Sequence, residues 1–524
     1  MSLGFDAIVI GSGFGGSVAA CRLAEAGERV LVLERGRRWA TEDLPRGPGD
    51  DWVFDVEDPE RRHGWLDLRL FPRVGVAQGA GVGGGSLVYA NVFVEAERFV
   101  FDHGWPEQID FDALTPHYAT TGRMLEVQTL PDGQLTARQR LMHQAALATG
   151  DAERFRRLPL ALRFDEAWHY GLDDPHDPHH SRAVTNAFGR AQGTCVHCGD
   201  CDLGCPVGAR NTLDLNYLAR AEDRGAEIRP LCLVRAIEPE GEGYRVRYRR
   251  LDGGGEASET ARRVVVAAGS LGSTELLLRC RDQYRTLPAL SPRLGHGWCA
   301  NGDFLTPAFY ADREVSPTRG PTITCAIDYL DGSDGGQRYF VEDGGFPDVI
   351  GNALRAVLER QTAGERLFDG WRLLLDGLLQ GRDPQAHLMP WFGQGVDASD
   401  GVMRLDRAWF DRDLELALDY DVGRSRPTVQ ALIDRHKRLS EATGGVALEP
   451  PSWTLFDYLL TPHPLGGCNM GSGREDGVVD HKGEVFGYPG LYVLDGAIVP
   501  RALGLNPSRT IAAMAERAMA EILA

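Results

Sequence analysis

Lysine is almost absent from this sequence. Lys437 and Lys482 stand alone among 56 basic residues, so arginine carries nearly all the positive charge. Acidic residues number 75, and the formal net charge is −19. A surface this acidic repels phosphate backbones and anionic lipid headgroups, which argues against nucleic-acid and membrane-surface partners. Long apolar runs are also lacking. No stretch approaches the roughly 18–20 apolar residues that cross a bilayer, so no integral membrane segment is expected. No leader-like segment precedes the first apolar strand at Ala7, and the expected compartment is the cytoplasm. A secreted disulfide framework is missing too. Ten cysteines in 524 residues are too sparse for a small stapled scaffold, although four of them crowd into Cys195–Cys205.

Glycine, by contrast, is plentiful and patterned. Ala7–Ile10 is a short apolar run, as expected for a strand buried on both faces. Gly11, Gly13 and Gly16 follow in the G-x-G-x-x-G spacing. The first allows a tight turn, the second lets a pyrophosphate approach the backbone, and the third lets the next helix pack on the strand. That helix spans Ser17–Ala26 and stops at Gly27; Val30–Leu33 forms the second strand. Glu34 ends it, where a carboxylate can hold ribose hydroxyls. The whole predicts a dinucleotide-binding βαβ unit. The carboxylate disfavours a 2′-phosphate, although Arg35 follows directly.

A second glycine-rich stretch, Val76–Glu95, carries Gly79, Gly81, Gly83, Gly84 and Gly85, then Ser86 and a strand-like run over Leu87–Val94. Such a side-chain-free backbone can lie against a flat ring system or more phosphates. With GSGFGGS and GVGGGSLVYAN together, the chain resembles the glucose–methanol–choline (GMC) flavin oxidoreductases, in their cholesterol-oxidase-like branch. The resemblance implies non-covalent FAD, with its isoalloxazine near Gly83, Gly84 and Gly85. It extends the cofactor set to Phe14, Gly15 and Asn91, and to Val234, whose backbone would meet the adenine. Tyr89 stands where bacterial cholesterol oxidases have Asn. Val264–Leu278 reads as strand, turn and helix, and Ala268 and Gly269 match the family's second signature.

The cysteine run Cys195, Cys198, Cys201, Cys205 has the ferredoxin spacing C-x2-C-x2-C-x3-C-P. It predicts an iron–sulfur cluster, with a zinc knot or a metal-free cysteine loop as the alternatives. Its end, CDLGCPVGA, resembles the cluster loop of bacterial flavin glucose dehydrogenases. His169, His176, His179 and His180 lie in a proline-broken polar segment without ligand spacing and read as a solvated loop.

Near the C-terminus, HPLGGCNMG contains His463, and Asn506 and Pro507 open the last helix. The resemblance makes His463 and Asn506 the catalytic pair and places Asp495 and Gly496 at the ribityl and phosphate portion of the cofactor. It aims the N-terminus of the last helix at the flavin's pyrimidine edge, where negative charge develops. An imidazole titrating near neutrality can take a hydroxyl proton, and Asn506 can orient the hydroxyl without adding charge. Cholesterol oxidases also use a Glu to isomerise the steroid. Glu342 falls upstream of its expected place, which predicts oxidation without isomerisation.

The expected fold is α/β: a Rossmann-like FAD-binding domain (1–105, 206–303 and 460–524) interleaved with a mixed-sheet α+β substrate domain (106–205 and 304–459) that includes the cysteine loop at 195–206. The expected function is FAD-dependent oxidation of a bulky apolar or sterol-like alcohol to a carbonyl, with oxygen or an unknown electron acceptor. Two alternatives remain at this stage. One is a dehydrogenase relaying electrons through an iron–sulfur cluster. The other is a non-catalytic flavin/cysteine redox sensor.

Overall fold

The computed structural model describes residues 4–47, 49–352, 377–407 and 414–524. Its first sheet has seven strands. Glu227–Arg229, Val30–Leu33, Phe5–Ile10, Gly255–Val266, Gly243–Arg250 and Cys232–Glu240 follow one another, and Leu491–Val493 also pairs with Gly255–Val266. The strands around Phe5–Ile10 are parallel, and the last three form an antiparallel meander. Burial on both faces explains the composition: Ala7, Ile8, Val9 and Val30–Leu33 are all buried.

Helix Phe14–Glu25 packs on this sheet because glycine removes the obstacles. A side chain on Gly15 would overlap the Leu494 carbonyl, and one on Gly16 would overlap the Gly11 carbonyl. Gly11 itself has φ +94°, a conformation L side chains rarely adopt. The closing helix, Ser508–Ile522, lies against the first. Arg22 from one bonds Glu516 of the other through Nε at 2.8 Å and Nη2 at 2.6 Å.

The second sheet has six strands, in the order Val446–Ala447, Phe304–Phe309, Leu388–Gly395, Tyr339–Asp343, Cys325–Asp328, Phe155–Arg157. Its described pairings are all antiparallel. Helix Val422–Ala442 covers it. Its buried Val429, Leu432, Ile433, His436 and Leu439 recur at helical spacing, and Asp421 caps it by accepting from the Gly423 N–H. One apolar cluster joins the two sheets, from Val9 to Leu432. The sequence predicts a helix over Gly351–Arg360, which lies outside the described residues beyond Asn352.

Leu87–Val94 is not a strand. A 3-10 turn spans Gly84–Leu87, and Asn91 sits at φ 64°. The carbonyls that a ladder would have used go to buried Arg210, whose guanidinium bonds Ser86 O at 2.6 Å, Leu87 O at 2.8 Å and Tyr89 O at 2.9 Å.

The tight packing at Gly15 gives a direct test. Gly15→Ala is expected to destabilise the protein by about 2–4 kcal/mol, read as a lower urea midpoint, whereas Gly133→Ala, away from the protein's large cavity and with nothing within 4 Å of the added methyl, should leave the midpoint close to wild type.

Candidate active site

Five parallel strands end in line, since Arg229 is level with Leu33, Ile10 with Leu33 and Val266, and Val266 with Val493. The loops that follow meet at that edge and form one wall of a cavity of about 970 Å³. Of the residues expected to bind the cofactor, Gly11, Gly13, Phe14, Gly15, Glu34, Gly84, Gly85, Val234, Ala268, Gly269, Asp495, Gly496, Asn506 and Pro507 line it. Gly16, Gly83, Ser86 and Asn91 do not. Gly16 serves the helix–strand contact. Ser86 donates to Gly83 O at 2.7 Å and accepts from the Leu213 N–H at 3.1 Å. The Asn91 side-chain oxygen Oδ1 accepts from Arg210 Nε at 2.8 Å. These three hold the second glycine loop in shape from behind the wall.

The wall fits FAD on its own terms. Helix Phe14–Glu25 has no side-chain cap and no acidic residue in its first turn, and its first residues face the cavity. Such an end suits a pyrophosphate. Glu34 is buried and fastened to the first glycine turn: one oxygen accepts from the Ser12 N–H (3.0 Å) and hydroxyl (2.7 Å), the other from the Gly36 N–H (2.9 Å). Asp495 is tied similarly to the Gly269 N–H (2.8 Å), the Ser273 hydroxyl (2.5 Å) and the Ala497 N–H (2.8 Å). Burial raises the Asp495 pKa against these bonds.

His463 and Asn506 both reach this cavity. The strand Leu459–Thr461 pairs in parallel with Val74–Gly79 and delivers His463 just beyond its end. The His463 ring is 17% exposed, and its Nδ1 lies 2.9 Å from Oδ1 of Asp303, which is buried. Sequence reasoning missed Asp303. The only local signal was an acid between an Asn-Gly pair and an apolar strand, a pattern that any turn can give.

The sequence also set Glu342 aside, and the structure corrects that. Glu342 is fully buried on the strand Tyr339–Asp343, with Gln394 Nε2 bonding its Oε2 at 2.8 Å and Asn506 acting on its carboxyl. It stands behind Asn506 and does not itself line the cavity. Burial pushes its pKa up to about 8, while Gln394 and Asn506 pull it down. A buried carboxyl therefore stands beside Asn506, although Glu342 falls upstream of the isomerising position in the sequence.

The cysteine loop brings Cys195, Cys198, Cys201 and Cys205 near enough for Cys195 to feel the other three. Among the described residues, no group of three or more His, Cys, Asp or Glu side chains is placed to hold a metal ion. Two of the sulfurs serve the local backbone. Cys195 accepts from the His197 N–H at 3.4 Å and Cys205 from the Ala209 N–H at 3.3 Å. Burial pushes the Cys195 and Cys198 thiols well up and the Cys201 thiol to about 11, so without a metal these cysteines are protonated at neutral pH. The loop is seated by Gly199, where any side chain would overlap the Thr318 carbonyl.

Comparison with known proteins bears on this site. GMC oxidoreductase family models match residues 181–280 and 398–515, and an NAD(P)-binding Rossmann-like domain matches residues 9–56. A cholesterol oxidase of Mycobacterium tuberculosis is 34% identical over 98% of this chain and 90% of its own. One of Acinetobacter baumannii is 31% identical over 99% and 94%. The chain belongs to the GMC oxidoreductase family. Among solved structures, a pyridoxine 4-oxidase from Mesorbium loti shares the fold with a TM-score of 0.63 at 18% identity, covering 98% of both chains. This GMC oxidoreductase is an FAD-dependent enzyme that oxidises alcohols. Among its described residues no helix is long and apolar enough to cross a membrane.

Two measurements check this site. Protein purified without oxygen is expected to show flavin absorption with no iron and no acid-labile sulfide; several irons per chain would mean that the cysteine loop rearranges around a cluster. Glu342 carries a pH signature. The native state keeps its proton up to about 8, while the unfolded chain loses it near the ordinary value of 4.5. Its contribution is therefore complete below pH 4.5 and is lost as pH rises through about 8. Between those values the Tm of the wild type should fall more steeply than that of Glu342→Gln, and parallel curves would show that Glu342 titrates normally.

Proposed function

We propose that the substrate is a bulky apolar alcohol of the sterol class, oxidised at a secondary hydroxyl, with oxygen as the electron acceptor. One observation carries this reading: the cavity that ends at His463 and Asn506 is walled by apolar side chains. Leu305, Phe309, Ile323, Phe346, Leu388 and Phe392 all line it. A small or charged alcohol would leave this surface unfilled, whereas a fused-ring alcohol buries it at about 25 cal/mol per Å². The relatives named as cholesterol oxidases support the same substrate class, and a long-chain-alcohol oxidase of Arabidopsis thaliana, 24% identical over 97% of this chain and 65% of its own, supports a bulky apolar one.

In this reading the hydroxyl sits between His463 and Asn506. His463 takes the hydroxyl proton, and Asn506 holds the oxygen in place by a neutral hydrogen bond. FAD, when bound, supplies the two-electron acceptor for the hydride that leaves the carbinol carbon. The apolar wall keeps water from the reacting carbon. The interleaved assignment of 1–105, 206–303 and 460–524 to the cofactor and 106–205 and 304–459 to the substrate is part of the same proposal. A relay through an iron–sulfur cluster finds no preformed ligand set among the described residues.

The test is anaerobic flavin reduction followed by stopped-flow absorbance. A 3β-hydroxysterol should reduce the flavin at least tenfold more efficiently than a short primary alcohol. His463→Ala should keep its FAD and lose about 10²–10⁴-fold in the reduction rate. Reduction at the wild-type rate in that variant would refute the assignment of His463, and equal efficiency with short alcohols would refute the substrate class.

A further inference from the structure

The turn Asn301–Gly302–Asp303 bonds His463 and the segment that leads into Asn506. Asn301 is in the left-handed region, φ 53°, and Gly302 follows at 62°. The Asn301 side chain binds the segment that leads into Asn506: its oxygen accepts from the N–H groups of Leu503 and Gly504, both at 2.9 Å, and its Nδ2 donates to Leu505 O at 2.9 Å. Two residues later, Asp303 faces His463. Its second oxygen accepts from the Thr461 hydroxyl at 2.5 Å, and that hydroxyl oxygen in turn accepts from the His463 backbone N–H at 2.9 Å. A buried carboxylate thus grips the imidazole directly and its backbone through one intermediary.

From this geometry we infer that Asp303 is a positioning residue for the alcohol oxidation, fixing His463 with its proton on Nδ1 and its Nε2 free as the base, and stabilising the imidazolium that forms. The inference deepens the reading of the site given above and rests on it. A carboxylate accepts hydrogen bonds only, so the Nδ1 beside Asp303 must carry the hydrogen. That leaves Nε2 with the lone pair. When the substrate hydroxyl gives its proton to Nε2, the new positive charge lies next to a fixed negative one in a buried setting. The proton stays on His463 while the hydride leaves the carbinol carbon, and charge and atoms balance without a further reactant beyond FAD.

The neighbouring ionisable groups do not compete for this role. Burial raises the Asp303 pKa, but His463 and Thr461 lower it and favour its charged form. Glu342, on the strand two places across the sheet, feels the Asp303 charge and is itself held neutral at pH 7, with its pKa near 8. Asp343 next to it faces Arg138 at 3.6 Å. On the near side, burial pushes the Cys299 thiol well up, and Asp397 is occupied by the Ala300 N–H at 2.9 Å and the Tyr420 hydroxyl at 2.9 Å. The two buried carboxyls sit on different partners, Asp303 on His463 and Glu342 beside Asn506, which divides their roles.

The experiment is Asp303→Asn in the FAD-loaded enzyme, with a 15N-histidine spectrum as the readout that does not depend on turnover. The asparagine keeps an acceptor for Nδ1–H and removes the charge. FAD content should hold, and the anaerobic reduction rate at its pH plateau should fall about 10–100-fold. A rate within twofold of wild type overturns the inference. The wild-type spectrum stands even if the variant does not fold: His463 protonated at Nδ1 and bare at Nε2 is expected, and the opposite tautomer overturns it. If no alcohol reduces the wild-type flavin, the proposed function fails, while the spectrum still decides the Asp303–His463 pairing.

Discussion

The structure depends on five parallel strands stopping at one level. Arg229, Leu33, Ile10, Val266 and Val493 end together, so the chain leaves the sheet five times at the same edge. Each exit is a loop that must turn without colliding with the other four, which is why glycine stands at Gly11, Gly15 and Gly269 and why Gly15 can rest against the Leu494 carbonyl. The carboxylates Glu34 and Asp495 then tie the loops to one another through backbone N–H groups. A cavity open to a dinucleotide is what remains when backbone approaches backbone this closely.

The second sheet meets that edge with side chains rather than with glycine. Asp303 precedes the strand Phe304–Phe309, Glu342 lies on Tyr339–Asp343, and Phe392 lies on the strand between them. The antiparallel register sets Phe304 and Val341 both opposite Gly393, which lines up the three strands at the catalytic end. Apolar residues of this sheet face the cavity, while its buried carboxyls stand at or behind the wall. The division between a backbone-built cofactor side and a side-chain-built substrate side follows from what each must recognise: phosphates and ribose on one, an apolar body with one hydroxyl on the other.

How much of this the sequence disclosed depended on distance along the chain. The glycine turn, its helix and Glu34 lie within one short unit and were readable from spacing. His463 and Asn506 were readable because each sits in a motif of its own. Asp303 and Glu342 were not, because their roles come from strand pairing and from a chain segment about 160 residues away from each. The cysteine run shows the converse. Its spacing matches a ligand set, yet spacing does not say which way the backbone turns each thiol, and here two of the sulfurs close local turns. Leu87–Val94 has strand composition, and the buried cation Arg210, more than a hundred residues on, claims the carbonyls that a neighbouring strand would have taken.

The Asn301–Asp303 turn has a consequence for how this active site can change. Because three residues grip both the imidazole and the approach to Asn506, the base and the amide are coupled as one rigid jaw. A shift of the adjoining strand carries the two together, so their mutual spacing is conserved while the depth at which they meet the hydroxyl varies. Alterations in the substrate sheet can therefore retune which alcohols fit without disassembling the pair, whereas loss of the turn releases both at once. Substitutions at His463 and Asn506 then share a support, and their energetic effects combine non-additively.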